Sequence, residues 1–394
     1  PVTAHVFTWS RSLGQAVMVV AIGAVAYLLG CIFPLLCHLG VSEGAGVGQS
    51  VSWLYLANIV GSTAGPLVTG FVLLDRFTTE DLAAAFGVAT AVLGGLVALG
   101  AKGPLRARFC WVAAVAIACV SAWLLRPLLY DEMLAKLHLN DRYVAQDHAY
   151  EILIQNRSGI IATVDGDGFG DIIYGGGMYD GRINSDPTHD KNGIDRAYFV
   201  AALHERPASI LEIGLSGGSW TRVLSDYGQV EKITVVEINP GYLEMVAHYP
   251  ENATLLADPR VEMVIDDGRR WLERHPDARF DLVLMNTTQH WRSHASQLLS
   301  VEFLELCKRR LRPGGVIYYN ATESEDVVFT TAQVFRHVVR YKSFVAGSDA
   351  PFSVDPATIR SNLLRFERGG RPIFEQSAAH RDKLERYLQV MRLV

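Results

Sequence analysis

The first 130 residues almost lack charged side chains. They contain 6 Lys or Arg and 4 Asp or Glu, whereas residues 131–394 contain 30 and 37. The averages for the whole chain, 49% hydrophobic residues and a net charge of −5, therefore describe neither part. So few charges also argue against a pump, which needs a series of ionisable groups inside the membrane.

Cysteine is scarce as well. Of the five cysteines, Cys31, Cys37, Cys110 and Cys119 lie in or beside apolar stretches, and Cys307 lies alone in the second part. This spacing suggests neither a disulfide framework nor a metal site. We expect the thiols to pack as small hydrophobic groups, and we predict no bound metal.

The first part instead contains four long apolar stretches, each close to the ~20 residues that a helix needs to cross a bilayer. They are residues 16–36, 54–74, 82–99 and 109–125. A single cleavable signal peptide cannot explain four of them. We therefore predict a transmembrane helical bundle over residues 1–130. Because the chain begins at Pro1, we expect a processed or truncated product and take four spans as a lower bound.

Residues 131–192 have a different pattern. Residues 130–139 predict a helical connector, and residues 149–164 alternate between apolar and polar positions as short strands do, with turn residues 156–159 between them. A small β unit is therefore predicted. Residues 165–192 are rich in Gly and Asp and are predicted to form a loop without regular structure.

Residues 193–394 alternate between apolar runs and amphipathic segments of helical length. The runs predict strands at residues 210–214, 232–238, 261–265, 280–285 and 314–319. Strands separated by helices form a parallel sheet with crossover connections. The sequence thus predicts an α/β Rossmann-like domain.

Polar and glycine residues follow the first two of these strands. Gly214 and Gly217, with Ser216 between them, allow a tight turn that a ligand can approach, and the next helix begins there with free N–H groups. Glu237 ends the second strand about 20 residues later, where a carboxylate accepts hydrogen bonds from ribose hydroxyls.

The next two strands also end in polar residues. Asp266, Asp267 and Gly268 follow the third strand, where a carboxylate can receive an adenine amino group, and Asn286 follows the fourth. Solvent-exposed loops explain each polar end separately, but a series of four at one sheet edge favours a nucleoside-binding crevice. We predict a ligand of the S-adenosylmethionine type.

These residues resemble the spermidine synthase-like aminopropyltransferases, and more closely their bacterial membrane-fused relatives. The similarity covers residues 150–320, and the span at residues 54–74 also looks like the last transmembrane repeats of those fusions. The matching positions are the segment Asp180 to Asn184, similar to the family's Asp-Gly-x-x-Gln cofactor loop, Glu237, the pair Asp267 and Gly268, and residues 312–315.

The resemblance implies a class I transferase fold and S-adenosylmethionine or its decarboxylated form as donor. It also implies an amine acceptor. The apolar bundle leaves a lipid-like acceptor open, and no nucleic acid is expected as a partner. We expect an integral protein of the bacterial inner membrane with a cytoplasmic catalytic domain, since an adenosyl cofactor is found there. Whether the protein forms a homodimer is left open.

The departures from the family lie at the reaction centre. The family's Asp after the fourth strand deprotonates the attacking amine, but this chain has Asn286, whose amide is no base near neutral pH. The glycine turn has Gly217 in place of the family's acid, and residues 195–197 stand near the family's Tyr-His-Glu gate. The residues of the donor pocket match those of the family, whereas the residues of the acceptor pocket differ.

Other polar residues can replace the missing acids. His290 is a candidate general base, and Arg292 with His294 can hold an anionic group, but a polar loop explains all three equally well. Zinc at His290 and His294 has no third ligand nearby. Asp190, with Asp180 and Asp186, can bind an amine or can simply form turns.

Three functions remain open. The leading one is a membrane-anchored transferase that moves an aminopropyl group from decarboxylated S-adenosylmethionine to an amine. The second is a methyltransferase that uses S-adenosylmethionine on an amine or a lipid-soluble acceptor. The third is a non-catalytic membrane protein that senses the nucleoside. For the transferase, the candidate catalytic residues are Asn286, His290 and Asp190.

Overall fold

The computed structural model describes residues 11–41, 44, 46–100, 104–130, 133–139, 150–286, 295–352 and 354–391. The chain divides into two compact units. One comprises residues 1–150 with Gln155–Arg157, and the other comprises Glu151–Ile154 with Ser158–Val394. Most of the small β unit therefore groups with the Rossmann-like domain, and each unit is described separately below.

The first unit is helical. Its helices are α1 (Arg11–Gly40), α2 (Val47–Val68), α3 (Thr79–Gly100), α4 (Leu105–Tyr130) and α5 (Met133–Leu139). The first four coincide with the predicted apolar stretches, and α5 confirms the helical connector. By length and composition, α1 to α4 are each able to cross a membrane. Their apolar side chains are largely exposed, as Val20 and Leu124 show with 71% of their surface accessible.

The small β unit is a four-stranded sheet in sequential order. Its strands are β1 (Ile152–Asn156), β2 (Gly159–Val164), β3 (Ile172–Gly175) and β4 (Met178–Arg182). The first two confirm the predicted strands. The prediction of an irregular loop over residues 165–192 is wrong, because β3 and β4 lie within it. Its glycines concentrate at turns, where Gly176 and Gly177 have φ of 59° and 77°, and leave short strands between them.

The second sheet has seven strands in the order β10-β11-β9-β8-β5-β6-β7. They are β5 (Ser209–Ile213), β6 (Lys232–Glu237), β7 (Val261–Ile265), β8 (Phe280–Met285), β9 (Leu311–Asn320), β10 (His337–Tyr341) and β11 (Phe344–Ser348). Strands β5 to β9 are parallel and match the five predicted strands. The expectation of a purely parallel sheet is incomplete, because β10 and β11 pair antiparallel along the β9 edge.

Short helices connect and cover these strands. They are α6 (Asp195–Tyr198), α7 (Val200–Leu203), α8 (Ser219–Ser225), α9 (Gly241–Ala247), α10 (Pro250–Ala253), α11 (Gly268–Arg274), α12 (Ala295–Leu298), α13 (Val301–Lys308), α14 (Glu325–Val334), α15 (Pro356–Leu363) and α16 (Ala378–Val390). A two-stranded hairpin, β12 (Glu367–Arg368) with β13 (Arg371–Pro372), precedes α16.

The strand order places one edge of the sheet at a topological switch point. Strands β5, β6 and β7 proceed in one direction, whereas β8 and β9 lie on the other side of β5. Ile213 pairs with Met285 in register, so the turn after β5 and the residue after β8 emerge side by side. Ligands of open α/β sheets bind in the crevice at such a point.

Candidate functional site

A cleft of about 400 Å³ of empty space lies at this switch point. It is formed by the end of β4, the loop that follows, strand β5 with its glycine turn, the start of α8 and the end of β8. The lining residues are Asp180, Gly181, Arg182, Asn192, Glu212, Gly214, Leu215, Ser216, Gly217, Ser219, Trp220 and Asn286. Five of the predicted site residues are thus brought together: Asp180, Gly214, Ser216, Gly217 and Asn286.

The turn after β5 requires its glycines for two different reasons. Gly214 and Gly218 have φ of 93° and 73°, and Ser216 between them is also left-handed at 47°. Gly217 is needed for space, because a Cβ there would lie 2.5 Å from the Cδ1 atoms of both Ile173 and Ile183. The second turn glycine is therefore Gly218, not Gly217.

Three hydrogen bonds hold the turn in place. The Leu215 amide donates to Glu237 Oε2 at 2.7 Å, and Asn252 Nδ2 donates to the Gly217 carbonyl at 2.6 Å. Ser216 Oγ donates to the Asp180 carbonyl at 2.9 Å and so ties the turn to β4. Sequence reasoning missed Asn252, since nothing in the pattern of α10 indicates a contact with a turn 35 residues earlier.

Glu237 lies beneath the turn and is only 4% exposed. Its second oxygen, Oε1, accepts from the Asn239 amide at 2.8 Å. Burial raises the pKa of this carboxyl to about 6, opposed by the hydrogen bonds from the Asn239 and Leu215 amides, and the charge of Asp180 raises it further. The carboxylate therefore shapes the turn, and its predicted contact with ribose stays a prediction.

Asp180 and Asn184 occupy different surroundings. Tyr242 Oη donates to Asp180 Oδ2 at 2.5 Å, which leaves this carboxylate on the cleft wall. The Asn184 amide nitrogen Nδ2 donates to the carbonyls of Asp186 and His189, both at 3.2 Å, and its Oδ1 accepts from the Asp186 amide. Asn184 thus shapes the loop after β4.

The acids after β7 lie beside the sheet edge. Asp267 caps α11 by accepting from the Arg270 amide at 2.8 Å, and Gly268 is needed because a Cβ there would lie 2.7 Å from Ile213 Cγ2. Asp266 forms ion pairs with Arg270 and Arg274. Burial favours a higher pKa for Asp266, but the hydrogen bonds from Arg270 and the Asp267 amide, together with the charges of Arg270 and Arg274, lower the pKa overall. Their predicted role at adenine stays a prediction.

The structure describes two of the three predicted catalytic residues, Asn286 and Asp190. Asn286 lines the cleft. Asp190 Oδ1 accepts from the amides of Asn192 and Ile194 at 2.8 and 3.0 Å, so the turn-forming interpretation explains it, and it is not among the described residues that line the cleft. His290, Arg292 and His294 lie outside the described residues.

Sequence reasoning also missed Glu212, a carboxylate that lines the cleft from within β5 and is only 2% exposed. Thr221 Oγ1 donates to its Oε2 at 2.8 Å. Burial raises the pKa of Glu212 to about 8, the Thr221 hydrogen bond lowers it, and the charge of Glu237 raises it. The sequence offered one sign of this role, an acidic residue between Leu211 and Ile213 in an otherwise apolar strand. Burying a charge without a partner costs free energy, so an acid at such a position indicates a partner or a ligand.

The cleft is lined mainly by acidic rather than basic side chains. Asp180 and Glu212 line it and Glu237 lies directly behind the glycine turn. Among the described residues of its wall, Arg182 is the one cation, and its Nη1 donates to the carbonyls of Gly166 and Gly170 at 2.9 and 3.2 Å. Such a site favours a cationic ligand and disfavours the pyrophosphate of a dinucleotide.

Residues 197–359 match the model of the spermine/spermidine synthase domain. The chain is 26% identical over 326 residues to a polyamine aminopropyltransferase of Mycobacterium tuberculosis, covering 80% of this chain and 61% of that protein. It is 27% identical over 339 residues to polyamine aminopropyltransferase 2 of Streptomyces coelicolor, covering 80% and 58%.

The chain thus spans about three fifths of the length of these curated relatives. Among solved structures, the spermidine synthase of Thermotoga maritima aligns with a TM-score of 0.46 and 16% identity, over 61% of this chain and 87% of that one. The domain match and the curated relatives both support the resemblance of this chain to the spermidine synthase-like family.

Proposed function

We propose that this protein transfers an aminopropyl group from decarboxylated S-adenosylmethionine to an amine and that its helical unit anchors it in a membrane. The observation that carries the proposal is the pair of carboxylates, Asp180 and Glu212, on the wall of a cleft at the switch point. Both the sulfonium and the ammonium of this donor are cations, and an amine acceptor is a cation when protonated.

The reaction needs little from the protein beyond positioning. The nitrogen of the neutral amine attacks the methylene carbon of the aminopropyl chain that is bonded to sulfur. The bond between this carbon and sulfur breaks, and its electron pair stays on sulfur in methylthioadenosine. The extra proton then leaves the new secondary amine. Asn286 cannot accept it, so the amine must arrive neutral or lose its proton to another group.

The acidic lining of the cleft also favours aminopropyl transfer over methyl transfer. S-adenosylmethionine carries a carboxylate that its decarboxylated form lacks, and this further negative charge is repelled by Asp180 and disfavours ionisation of Glu212. The domain match and the aminopropyltransferase names of the curated relatives support the same choice. A purely sensory role has no observation in its favour.

Product identification tests the activity. Full-length protein in detergent is incubated with a polyamine and either S-adenosylmethionine or its decarboxylated form. We expect methylthioadenosine from the decarboxylated donor and no S-adenosylhomocysteine. Asp180→Asn removes a charge from the cleft and should lower the rate. Asp165→Asn changes a residue that the structure places in a turn and serves as the matched control. S-adenosylhomocysteine alone, or binding without product, contradicts the proposal.

Membrane anchoring has its own test. Helices α1 to α4 expose apolar side chains over lengths that match a bilayer. The full chain should stay in the membrane pellet during alkaline carbonate extraction and leave it only with detergent. Release by carbonate alone contradicts anchoring and leaves the proposed chemistry unaffected.

A further inference from the structure

The family's glycine-turn carboxylate is absent from this chain, and any side chain at its position would crowd two isoleucines. Position 217 carries glycine, and even a Cβ atom there would contact the Cδ1 atoms of Ile173 and Ile183 at 2.5 Å. A side chain as large as aspartate requires both isoleucines to move. The negative charge opposite a cationic chain in the cleft must therefore come from another residue.

Glu212 is placed to supply it. Its carboxylate lines the same cleft from β5, two residues before Gly214, and helix α8 fixes it through the Thr221 hydrogen bond of 2.8 Å. Leu284 of β8 pairs in register with Glu212, so Asn286, two residues further along β8, lies on the adjacent strand end. The charge thus lies between the glycine turn and the position where the family has its base.

Trp220 lines the same cleft as this carboxylate, and Tyr318 packs near Trp220. Trp220 precedes Thr221 in α8, and its buried Nε1 has no hydrogen-bond partner among the described residues. Tyr318 of β9 lies 6.5 Å from the Trp220 ring, centroid to centroid, and within the described part of the chain its buried hydroxyl also has no partner. Buried polar atoms without partners are costly, so a ligand or water is expected to satisfy them.

We propose that Glu212 binds the primary ammonium at the end of the donor's three-carbon chain and thereby selects the decarboxylated donor over S-adenosylmethionine. This inference rests on the proposed function, because it takes an adenosyl sulfonium as the ligand. A charge-assisted hydrogen bond to a buried carboxylate is stronger than a neutral one. The carboxylate of S-adenosylmethionine sits on the carbon that bears this ammonium and would be brought against Glu212.

The raised pKa of Glu212 agrees with this assignment. Burial and the neighbouring Glu237 disfavour its anionic form while the cleft holds no cation. An ammonium removes that penalty, since opposite charges at close range stabilise each other in a site of low polarity.

The test compares three probes on the full-length protein in detergent, measured by calorimetry. They are decarboxylated S-adenosylmethionine, S-adenosylmethionine, and methylthioadenosine, which lacks the charged chain. Glu212→Gln keeps the size and the Thr221 contact but removes the charge. We expect its affinity for the decarboxylated donor to fall about 10- to 100-fold, its preference over S-adenosylmethionine to shrink, and its affinity for methylthioadenosine to change less than about 2-fold.

Glu262→Gln is the matched control, because Glu262 lies on β7 of the same sheet and pairs with Lys232 at 2.7 Å, away from the cleft. It should alter none of the three affinities. An equal loss for all three probes in Glu212→Gln overturns the inference, because it shows a structural role. An unchanged preference between the two donors overturns it as well.

A measurement on the unaltered protein covers the case in which the variant does not fold. A donor analogue with an S-propyl chain lacking the terminal amine should bind about tenfold more weakly than the decarboxylated donor. Equal binding of the two overturns the inference. If the unaltered protein binds neither methylthioadenosine nor either donor, the proposed function itself fails, whereas retained nucleoside binding without this preference refutes only the role of Glu212.

Discussion

Tyr242 donates a hydrogen bond of 2.5 Å to Asp180, and this bond joins helix α9 to strand β4 at the wall of the cleft. The two residues are 62 positions apart in the chain. The Tyr242 hydroxyl group also packs closely against Gly175, where a Cβ atom would lie 2.2 Å from the hydroxyl oxygen. The orientation of the Asp180 carboxylate therefore depends on a residue outside the motif that contains it.

Tyr242→Phe should weaken donor binding by about 5- to 10-fold, because a carboxylate that loses a fixed partner becomes less well oriented. Calorimetric titration with the decarboxylated donor measures the change. Tyr249→Phe is the matched control, since Tyr249 donates to Asp171 at 2.9 Å elsewhere in the β unit. Equal effects of the two substitutions would show that the Asp180 contact has no special role in binding.

Asn252→Ala should affect both stability and binding. It removes the donor to the Gly217 carbonyl and should cost about 1–3 kcal/mol of unfolding free energy, as well as loosening the glycine turn. Asn362→Ala removes a similar buried bond, from Nδ2 to the Ala201 carbonyl at 3.1 Å. Denaturant unfolding should show comparable losses, but only Asn252→Ala should reduce affinity for the donor. Reduced affinity in both variants would point to general destabilisation.

Gly217→Ala should destabilise the protein by about 1–3 kcal/mol, because the new methyl group overlaps Ile173 and Ile183. Replacing both isoleucines by valine removes the two Cδ1 atoms that it meets. We therefore expect the cost of Gly217→Ala, measured by thermal or denaturant unfolding, to be smaller in the Ile173→Val, Ile183→Val background. An identical cost in both backgrounds would mean that backbone conformation, and not crowding, requires glycine at this position.

Glu212 should make stability depend on pH. Its pKa is about 8 in the folded protein and 4.5 ordinarily, so between these values the folded state holds a proton that the unfolded state has released. Stability contributed by this group is therefore complete below pH 4.5 and is lost as the pH rises to 8. Glu212→Gln lacks this loss and should gain on the order of 3 kcal/mol over the unaltered protein between pH 5 and pH 8.

Unfolding of the two proteins and of Glu262→Gln across that range measures the effect. The Glu262 variant should follow the unaltered protein, because its carboxylate is exposed and paired with Lys232. A constant difference between Glu212→Gln and the unaltered protein from pH 5 to pH 8 would contradict the raised pKa.

Features that depend on local patterns could be read from the sequence. The apolar stretches predicted α1 to α4, because helix length and hydrophobicity are properties of consecutive residues. Alternating apolar runs predicted β5 to β9, and the order of strand and helix implied a shared edge for Gly214 and Asn286, whereas Asp180 was assigned to the site through the family resemblance. The family resemblance followed from short motifs and was confirmed by the domain match.

Features that depend on which residues meet across the fold required the tertiary structure. Strands β3 and β4 form from a glycine-rich segment because neighbouring strands supply their hydrogen bonds, and β10 and β11 extend the sheet antiparallel to β9. In the sequence, Glu212 lies inside an apolar strand. The structure shows that Thr221 of α8 contacts its carboxylate and that this carboxylate lines the cleft. The sequence by itself determined that a glycine turn and acids would share one sheet edge. Only the tertiary structure decided that Glu212 joins Asp180 on the cleft wall, because the lining of a cleft depends on which distant segments pack together in three dimensions.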